Sequence, residues 1–341
     1  MNPPSRRLRI GIAGLGRLGQ RHAQNLLASV PNADLLAACS PVEAELAWAR
    51  SLGIEHTYAD YDALLAHPDL DAVFLVTPTA LHATQIIAAL QAGKHVFCEK
   101  PLSLNMADCL LVEAEAARHP HLQVMIGFVR RFDASYRDAQ QKIQAGLIGK
   151  PYMVRSQTCD QNDPDGFFVR FSASSGGIFL DCSIHDIDLA RWMLGNPQAK
   201  RVYASGTIAL HEGLRQHQDV DNALATVEFA DGSMASFMAS RTMAHGHETL
   251  TEVFGNSGRV TVGANPRLNR VEISDRHGVR NECTPDFYSR FADAFLLEAQ
   301  EFVAAALGLA PLSLTLHDAT EACRIGVAMT QAMREGRVVE F

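Results

Sequence analysis

Leu8-Arg-Ile-Gly-Ile-Ala-Gly-Leu-Gly-Arg-Leu-Gly19 is a short β-rich run that passes without a linker into three spaced glycines, and a helical pattern follows through Leu26 and Leu27. The order strand, glycine turn, helix gives the spacing its meaning, because Gly-x-Gly-x-x-Gly by itself is a weak signal. In this context Gly14 permits the tight turn, Gly16 lets the backbone approach a pyrophosphate, and Gly19 allows close helix packing. The diphosphate is expected at the helix N-terminus, with Arg17 and Leu18 of the same turn among its contacts.

Outward from this turn the chain alternates: strand 34–39, helix 41–52, a short helix near 61–65, strand 72–76, helix 81–92, strand 95–98, helix 103–118 and strand 123–126. Such alternation predicts a doubly wound parallel sheet over residues 1–127, in which ligands bind beyond the carboxyl ends of the strands. Thr77-Pro78-Thr79 with His82 ends one strand and Glu99-Lys100-Pro101 the next, so each is expected to line a cofactor crevice. Thr77-Pro78 also reads as a helix start, with Thr77 or Thr79 as the cap. Strand two ends in Ala38-Cys39-Ser40, where an NAD site usually places an acid for the ribose hydroxyls; Glu43 is the nearest carboxylate and falls inside the next helix. Ser40 can bond a hydroxyl or a phosphate, and Arg17 can stack on adenine or meet a 2′-phosphate, so NAD and NADP both stay open.

From Phe128 the rhythm changes, and a second, α+β domain is expected over 128–341. It opens with a helix at 133–145, a strand at 152–158 and an Asp/Asn/Gly-rich loop at 159–166. Two glycines, Gly176 and Gly177, then lead into a helical pattern ending near Leu194. On a helix Asp181 and His185 share one face, while Ile184, Ile187, Leu189 and Trp192 supply packing. An imidazole with an ordinary pKa near ~6.5 can take a proton at neutral pH, and a carboxylate one turn away can orient it or hold a substrate hydroxyl. Read blandly, Asp181, Asp186 and Asp188 are caps or dipole partners of a helix start. Further on, β-like runs at 202–207, 222–229, 234–240, 249–254, 259–262 and 270–274, with a hairpin turn at Asp231-Gly232, predict one large, mostly antiparallel sheet. Helical patterns at 287–307 and 315–333 are expected to cover the first domain or the sheet. A broad sheet covered on one face leaves the other for a second copy, so a homo-oligomer, dimer or tetramer, is expected through the open face.

The 341 residues suffice for two cores. A net charge of −8 leaves no basic footprint for nucleic acid, and no apolar run approaches a membrane span, so the expected partner is a small molecule. Seven scattered cysteines without a Cys-x-x-Cys pair read as reduced thiols, and the N-terminus lacks the apolar region of a signal peptide; a cytoplasmic protein is expected.

The chain resembles the inositol 2-dehydrogenase branch of the glucose–fructose oxidoreductase/inositol dehydrogenase/rhizopine-catabolism family over nearly its whole length. The resemblance rests on Ala13-Gly-Leu-Gly-Arg-Leu-Gly19, Thr77-Pro-Thr79 with His82, Cys98-Glu-Lys-Pro-Leu102, Gly127-Phe-Val-Arg-Arg-Phe-Asp133, and Gly176-Gly-Ile-Phe-Leu-Asp-Cys-Ser-Ile-His-Asp-Ile-Asp188. It implies that Lys100, Asp181 and His185 form the catalytic set, that the bond before Pro101 is cis, and that Arg130 and Asp160 fall near the substrate. It also implies oxidation of a secondary hydroxyl, myo-inositol to its 2-keto form, without a metal. Oxidising an alcohol requires a hydride acceptor, a base and a positive group for the developing alkoxide. His185 fits the base, Lys100 the alkoxide stabiliser, and Asp181 a hydroxyl acceptor that tunes the imidazole. Ser40 departs from the acid of NAD-preferring members, and His245-Gly-His247 stands where many inositol dehydrogenases have a tyrosine-containing segment. The alternatives are a sugar or sugar-acid dehydrogenase of the same family and a non-catalytic dinucleotide sensor.

Overall fold

A computed structural model describes residues 6–263 and 266–341; Met1–Ser5, part of the N-terminus read above for a signal peptide, lie outside them. The chain divides into two compact units, Met1–Phe128 with Phe295–Cys323, and Val129–Ala294 with Arg324–Phe341.

In the first unit, β1 (Leu8–Ala13), β2 (Ala33–Cys39), β3 (His56–Tyr58), β4 (Ala72–Leu75), β5 (His95–Glu99) and β6 (Val124–Gly127) pair in the order β3-β2-β1-β4-β5-β6. Every pairing is parallel, which is the Rossmann arrangement. β4 reads Ala-Val-Phe-Leu and is buried throughout, as a central parallel strand covered on both faces must be. The strand order reverses between β1 and β4, and the turn from β1 into α1 (Arg17–Ala28) lies at that switch point. Of the other helices, α2 spans Glu43–Ser51, α3 Tyr61–Leu65, α4 His82–Gln91 and α5 Met106–Arg118. The short β3 escapes the sequence pattern because its three residues are too few to show a period.

Phe74 and Phe97 stack at 4.5 Å on facing strands, and Phe302 meets both edge-on. Inside this apolar region sits a polar group: His22 Nε2 is 2.8 Å from Glu99 Oε1, with the rings of Phe74, Phe97 and Phe295 around the imidazole. Glu298 completes it, fully buried, with one ligand-type atom from each of the three residues within 4.8 Å of the others. Burial, reinforced by the negative charge of Glu99, pushes the Glu298 carboxyl well above the ordinary glutamate range. A protonated carboxyl is the opposite of what a cation ligand has to be. The linkage sign follows. The folded chain keeps this proton while the unfolded chain releases it above about pH 4.5, so the associated stability is complete below that pH and declines as pH rises. One retained proton gives a slope of about 1.4 kcal/mol per pH unit. Glu298→Gln should flatten that part of the thermal-unfolding curve between pH 5 and 8; wild type and variant declining in parallel would contradict the assignment.

The second unit begins with a 3-10 turn, Val129–Phe132, and α6 (Ala134–Gln144), which Asp133 caps by accepting from the amides of Ser135 and Tyr136. Its strands are β7 (Pro151–Gln161), β8 (Ala199–Thr207), β9 (Asn222–Phe229), β10 (Met234–Met243), β11 (Glu248–Gly255), β12 (Gly258–Val262) and, near the C-terminus, β15 (Val339–Glu340). The sheet runs β12-β11-β7-β10-β9-β8-β15 and is antiparallel except where β10 pairs with β7, so the expected α+β architecture holds. A run expected at 270–274 forms instead the first strand of a separate hairpin, β13 (Ile273–Asp275) with β14 (Gly278–Arg280).

Register separates the faces of the large sheet, since directly paired residues point the same way. Val154, Phe237, Ala225 and Val202 are buried on one face. On the other, Met234 pairs with Met153 and Glu228, and Leu224 with Ser205 and Met238. Leu224, Tyr203 and Met234 stand exposed there.

The helix expected to run from the glycine pair to Leu194 is two pieces, a π-helical turn at Phe179–Ser183 and α8 (Ile184–Leu194), and a further helix not expected from the sequence, α7 (Phe167–Ser175), precedes the glycines. Gly176, at φ +81, is the C-cap of α7, and Gly177, at φ +89, turns the chain toward the next segment. The two glycines therefore end one helix as well as preceding another. The closing helices are α9 (Phe287–Ala306) and α10 (Leu316–Glu335), and each contributes residues to both units.

Candidate active site

In the first unit, the roles expected of the three glycines are visible atom by atom. A Cβ on Gly14, which has φ +90, would lie 2.3 Å from the Val76 carbonyl oxygen, and one on Gly19 would lie 2.0 Å from that of Gly14. Gly16 has nothing within 4 Å of that position and begins α1 without a side-chain cap. The first amides of a helix, with its positive dipole end, suit a diphosphate, and Gly16 leaves room for one.

At the end of β2, Ser40 is buried and donates to Glu45 Oε2 at 2.5 Å while accepting from the Val42 amide at 3.1 Å. A carboxylate from the first turn of α2 thus stands beside the strand-end serine. Glu43, the acid nearest in sequence, pairs with Arg50 instead.

Thr77 and Thr79 do not cap a helix: a 3-10 turn, Thr79–Leu81, precedes α4, and the Thr77 hydroxyl donates to Gln85 Oε1 at 2.5 Å. His82, expected to line the crevice, is only 1% exposed, with its ring nitrogens 2.8 Å from Pro101 O and 2.9 Å from Thr77 O. Burial lowers its pKa. Its visible role is to brace two strand-end loops. Glu99 likewise turns its carboxylate into the aromatic core, toward His22, rather than outward. Its other oxygen accepts from the Lys100 amide at 3.3 Å, and the Lys100–Pro101 bond is cis. Lys100 itself is half-buried at the strand end.

In the second unit, Asp181 and His185 are the only residues of the run 178–190 that are not buried. The π turn sets Asp181 apart from the regular helix that begins at Ile184. Asp160 is the penultimate residue of β7, two residues beyond the strand expected from sequence, and its Oδ1 lies 2.9 Å from His247 Nδ1. Cys182 Sγ donates to Asp160 Oδ2 at 3.4 Å, so the π turn, β7 and the residue preceding β11 converge. His245 is exposed and pairs with Glu248 at 3.1 Å, which leaves His247 as the one of the two histidines that belongs to this cluster.

Arg130, expected near the substrate, is 3% exposed and donates to Asp186 Oδ1 at 2.8 Å and to Thr158 Oγ1 at 2.7 Å. Arg131 forms a bidentate pair with Asp188 at 2.8 and 2.6 Å. Asp186 and Asp188 are therefore buried anchors for the arginine pair, neither caps nor surface charges. Two arginines in succession and Asp-x-Asp on a helix were the sequence signal for this pairing. Arg241 gave no signal in the sequence, yet its Nη2 donates to Asp181 Oδ2 at 2.9 Å.

A dinucleotide cradle in one unit and an acid–imidazole pair in the other are matched by family models over nearly the whole chain. Residues 8–128 match the oxidoreductase family's NAD-binding Rossmann fold, and residues 140–341 match its C-terminal alpha/beta domain. The chain belongs to the GFO/IDH/MocA oxidoreductase family. Among its relatives, the scyllo-inositol 2-dehydrogenase (NAD(+)) of Bacillus subtilis is 39% identical, over 98% of this chain and 96% of that one. The myo-inositol 2-dehydrogenase of Thermotoga maritima is 34% identical over 98% of each. The crystal structure of scyllo-inositol dehydrogenase from Lactobacillus casei with bound NAD(H) and scyllo-inositol superposes with a TM-score of 0.94 at 38% identity, covering 98% of this chain and 99% of that one. Among the described residues, no helix is long and apolar enough to cross a membrane, and none of the described cysteines is in a disulfide.

Proposed function

We propose that this chain is an NAD-dependent dehydrogenase that oxidises a ring hydroxyl of an inositol, myo- or scyllo-, to the ketone. The observation that carries the reading is the exposure of Asp181 and His185 alone within an otherwise buried run, in a family whose inositol dehydrogenases share this chain's length and fold. When bound, the nicotinamide supplies the hydride acceptor. Gly14, Gly16, Arg17, Leu18 and Gly19 hold the diphosphate, and Ser40, Thr77, Pro78 and Lys100 border the remainder of the cofactor. His185 takes the hydroxyl proton, Lys100 stabilises the alkoxide, and Asp181 accepts from a neighbouring hydroxyl. Asp160, braced by His247, accepts from another. Arg130 serves the substrate side indirectly, by anchoring α8 to β7.

Steady-state reduction of NAD and NADP against inositol isomers and aldopyranoses tests the reading. Turnover is expected with a cyclitol and NAD. Turnover confined to an aldopyranose would make the chain a sugar dehydrogenase, and tight NAD binding without turnover on any polyol would make it a sensor.

The acid at Ser40 bears on cofactor choice. A carboxylate from Glu45 at the end of β2, where the ribose is expected, favours its hydroxyls and opposes a 2′-phosphate. Glu45→Gln should raise kcat/KM for NADP relative to NAD by about tenfold, the scale of one like-charge contact of ~1.4 kcal/mol. An unchanged ratio would place discrimination elsewhere.

We also propose a homo-oligomer, dimer or tetramer, that buries the face carrying Tyr203, Leu224 and Met234, in the cytoplasm, where seven thiols stay reduced. Sedimentation at micromolar concentration reads the mass directly; a monomer there would overturn the assembly.

A further inference from the structure

Arg241, on β10, heads the fully buried side chains by volume. Its guanidinium bridges two aspartates, with Nη2 donating to Asp181 Oδ2 at 2.9 Å and Nη1 to Asp219 Oδ2 at 3.1 Å. Asp219 is buried as well. It accepts from Ser172 Oγ at 3.0 Å and, through Oδ1, from the Ile178 amide at 3.0 Å. The arginine is thereby tied to α7 on one side and to the entrance of the π turn on the other. The Arg241 amide donates to the Asp221 carbonyl at 2.8 Å, and the guanidinium carbon lies 5.3 Å from the centre of the Phe168 ring.

Burying such a cation between acids is poor evidence for stability, since apolar side chains of similar volume often serve a core as well or better. What the arrangement does provide is direction. A planar guanidinium holds two carboxylates at fixed angles, and one of the two, Asp181, has its side chain 18% exposed at the candidate site. We propose that Arg241 is a positioning residue for the reaction, fixing the Asp181 carboxylate through this bracket to Asp219. The proposal rests on the assignment of Asp181 to the active site.

A double-mutant cycle tests both layers, with kcat, KM for inositol and for NAD, and thermal unfolding measured for Arg241→Lys, Asp181→Asn and the double variant. Arg241→Lys keeps a charge and loses the fork. It should lower kcat about tenfold with KM for NAD unchanged, whereas in the Asp181→Asn background it should change kcat by less than about twofold, because contacting residues that act through one another are not additive. An equal loss in both backgrounds, or wild-type kcat in Arg241→Lys, would overturn the bracket while leaving Asp181 in the site. Full turnover in Asp181→Asn alone would overturn the proposal together with the reading beneath it. Should Arg241→Lys fail to fold, Asp219→Asn loosens the bracket from its other end and runs the same cycle with the same criteria.

Discussion

Lys100→Met is expected to lower kcat by about 10²- to 10³-fold, the scale on which removing one preorganised charged or hydrogen-bonding donor acts, while the thermal midpoint stays within a few degrees of wild type. The structure prepares this lysine through its neighbours. Glu99 accepts from the Lys100 amide while His22 holds the Glu99 carboxylate, and His82 sits against the Pro101 carbonyl, so the backbone on both sides of the lysine is pinned. Little side-chain burial is at stake, because Lys100 is only half-buried. The charge matters most when the alkoxide develops, so the loss should fall on kcat more than on substrate binding. Met keeps the length and removes the ammonium. Lys100→Arg should recover under about a tenth of the activity, since a planar, wider cation displaces the donor from the hydroxyl. Steady-state kinetics beside thermal unfolding decides the matter. A folded Lys100→Met chain with nearly full turnover would reduce Lys100 to a solvated lysine.

That strand end shows how far the sequence could be read. The position of Lys100 was legible because strand and helix periods alternate cleanly through the first domain, and the rule for parallel sheets then points to the residues ending each strand. The direction of the Glu99 and His82 side chains was not legible. Both were expected at the crevice, and both turn inward to partners far away in sequence, His22 for one and Pro101 for the other. Period identifies a face only in a regular element, and these residues lie where a strand gives way to a turn. The same limit applies at Asp181. The four-residue spacing to His185 is visible in the sequence, but the π turn that holds Asp181 replaces the first part of the single α-helix that the spacing implies. Ser40 is a third case. A carboxylate does stand beside it, that of Glu45, five residues on, which the first turn of a helix brings to the strand end. Arg241 lies beyond sequence reasoning altogether, because an arginine near the end of a strand says nothing about two aspartates, one buried and one partly exposed, some twenty and sixty residues away.

His185→Ala is expected to lower turnover by about 10²- to 10⁴-fold at neutral pH, the range for a positioned general base, with NAD affinity unchanged because the residue belongs to the second unit and not to the Rossmann sheet. Its place in the fold separates chemistry from stability. The neighbours Ile184, Asp186, Ile187 and Asp188 are buried and hold α8, whereas His185 remains partly exposed, so truncating it removes an imidazole without opening the core. Loss of the base leaves hydroxide or water to take the proton. Residual turnover of the variant should therefore climb with pH across the range in which wild type has already levelled off. Kinetics over a range from mildly acidic to alkaline pH, with NAD binding measured by calorimetry, distinguishes the cases. A variant with near-normal turnover at neutral pH, or one whose pH profile keeps the wild-type shape at reduced height, would assign the proton to another group. Asp160 would then be the first to test, since it is partly exposed and converges with Cys182 and His247 in the same cluster.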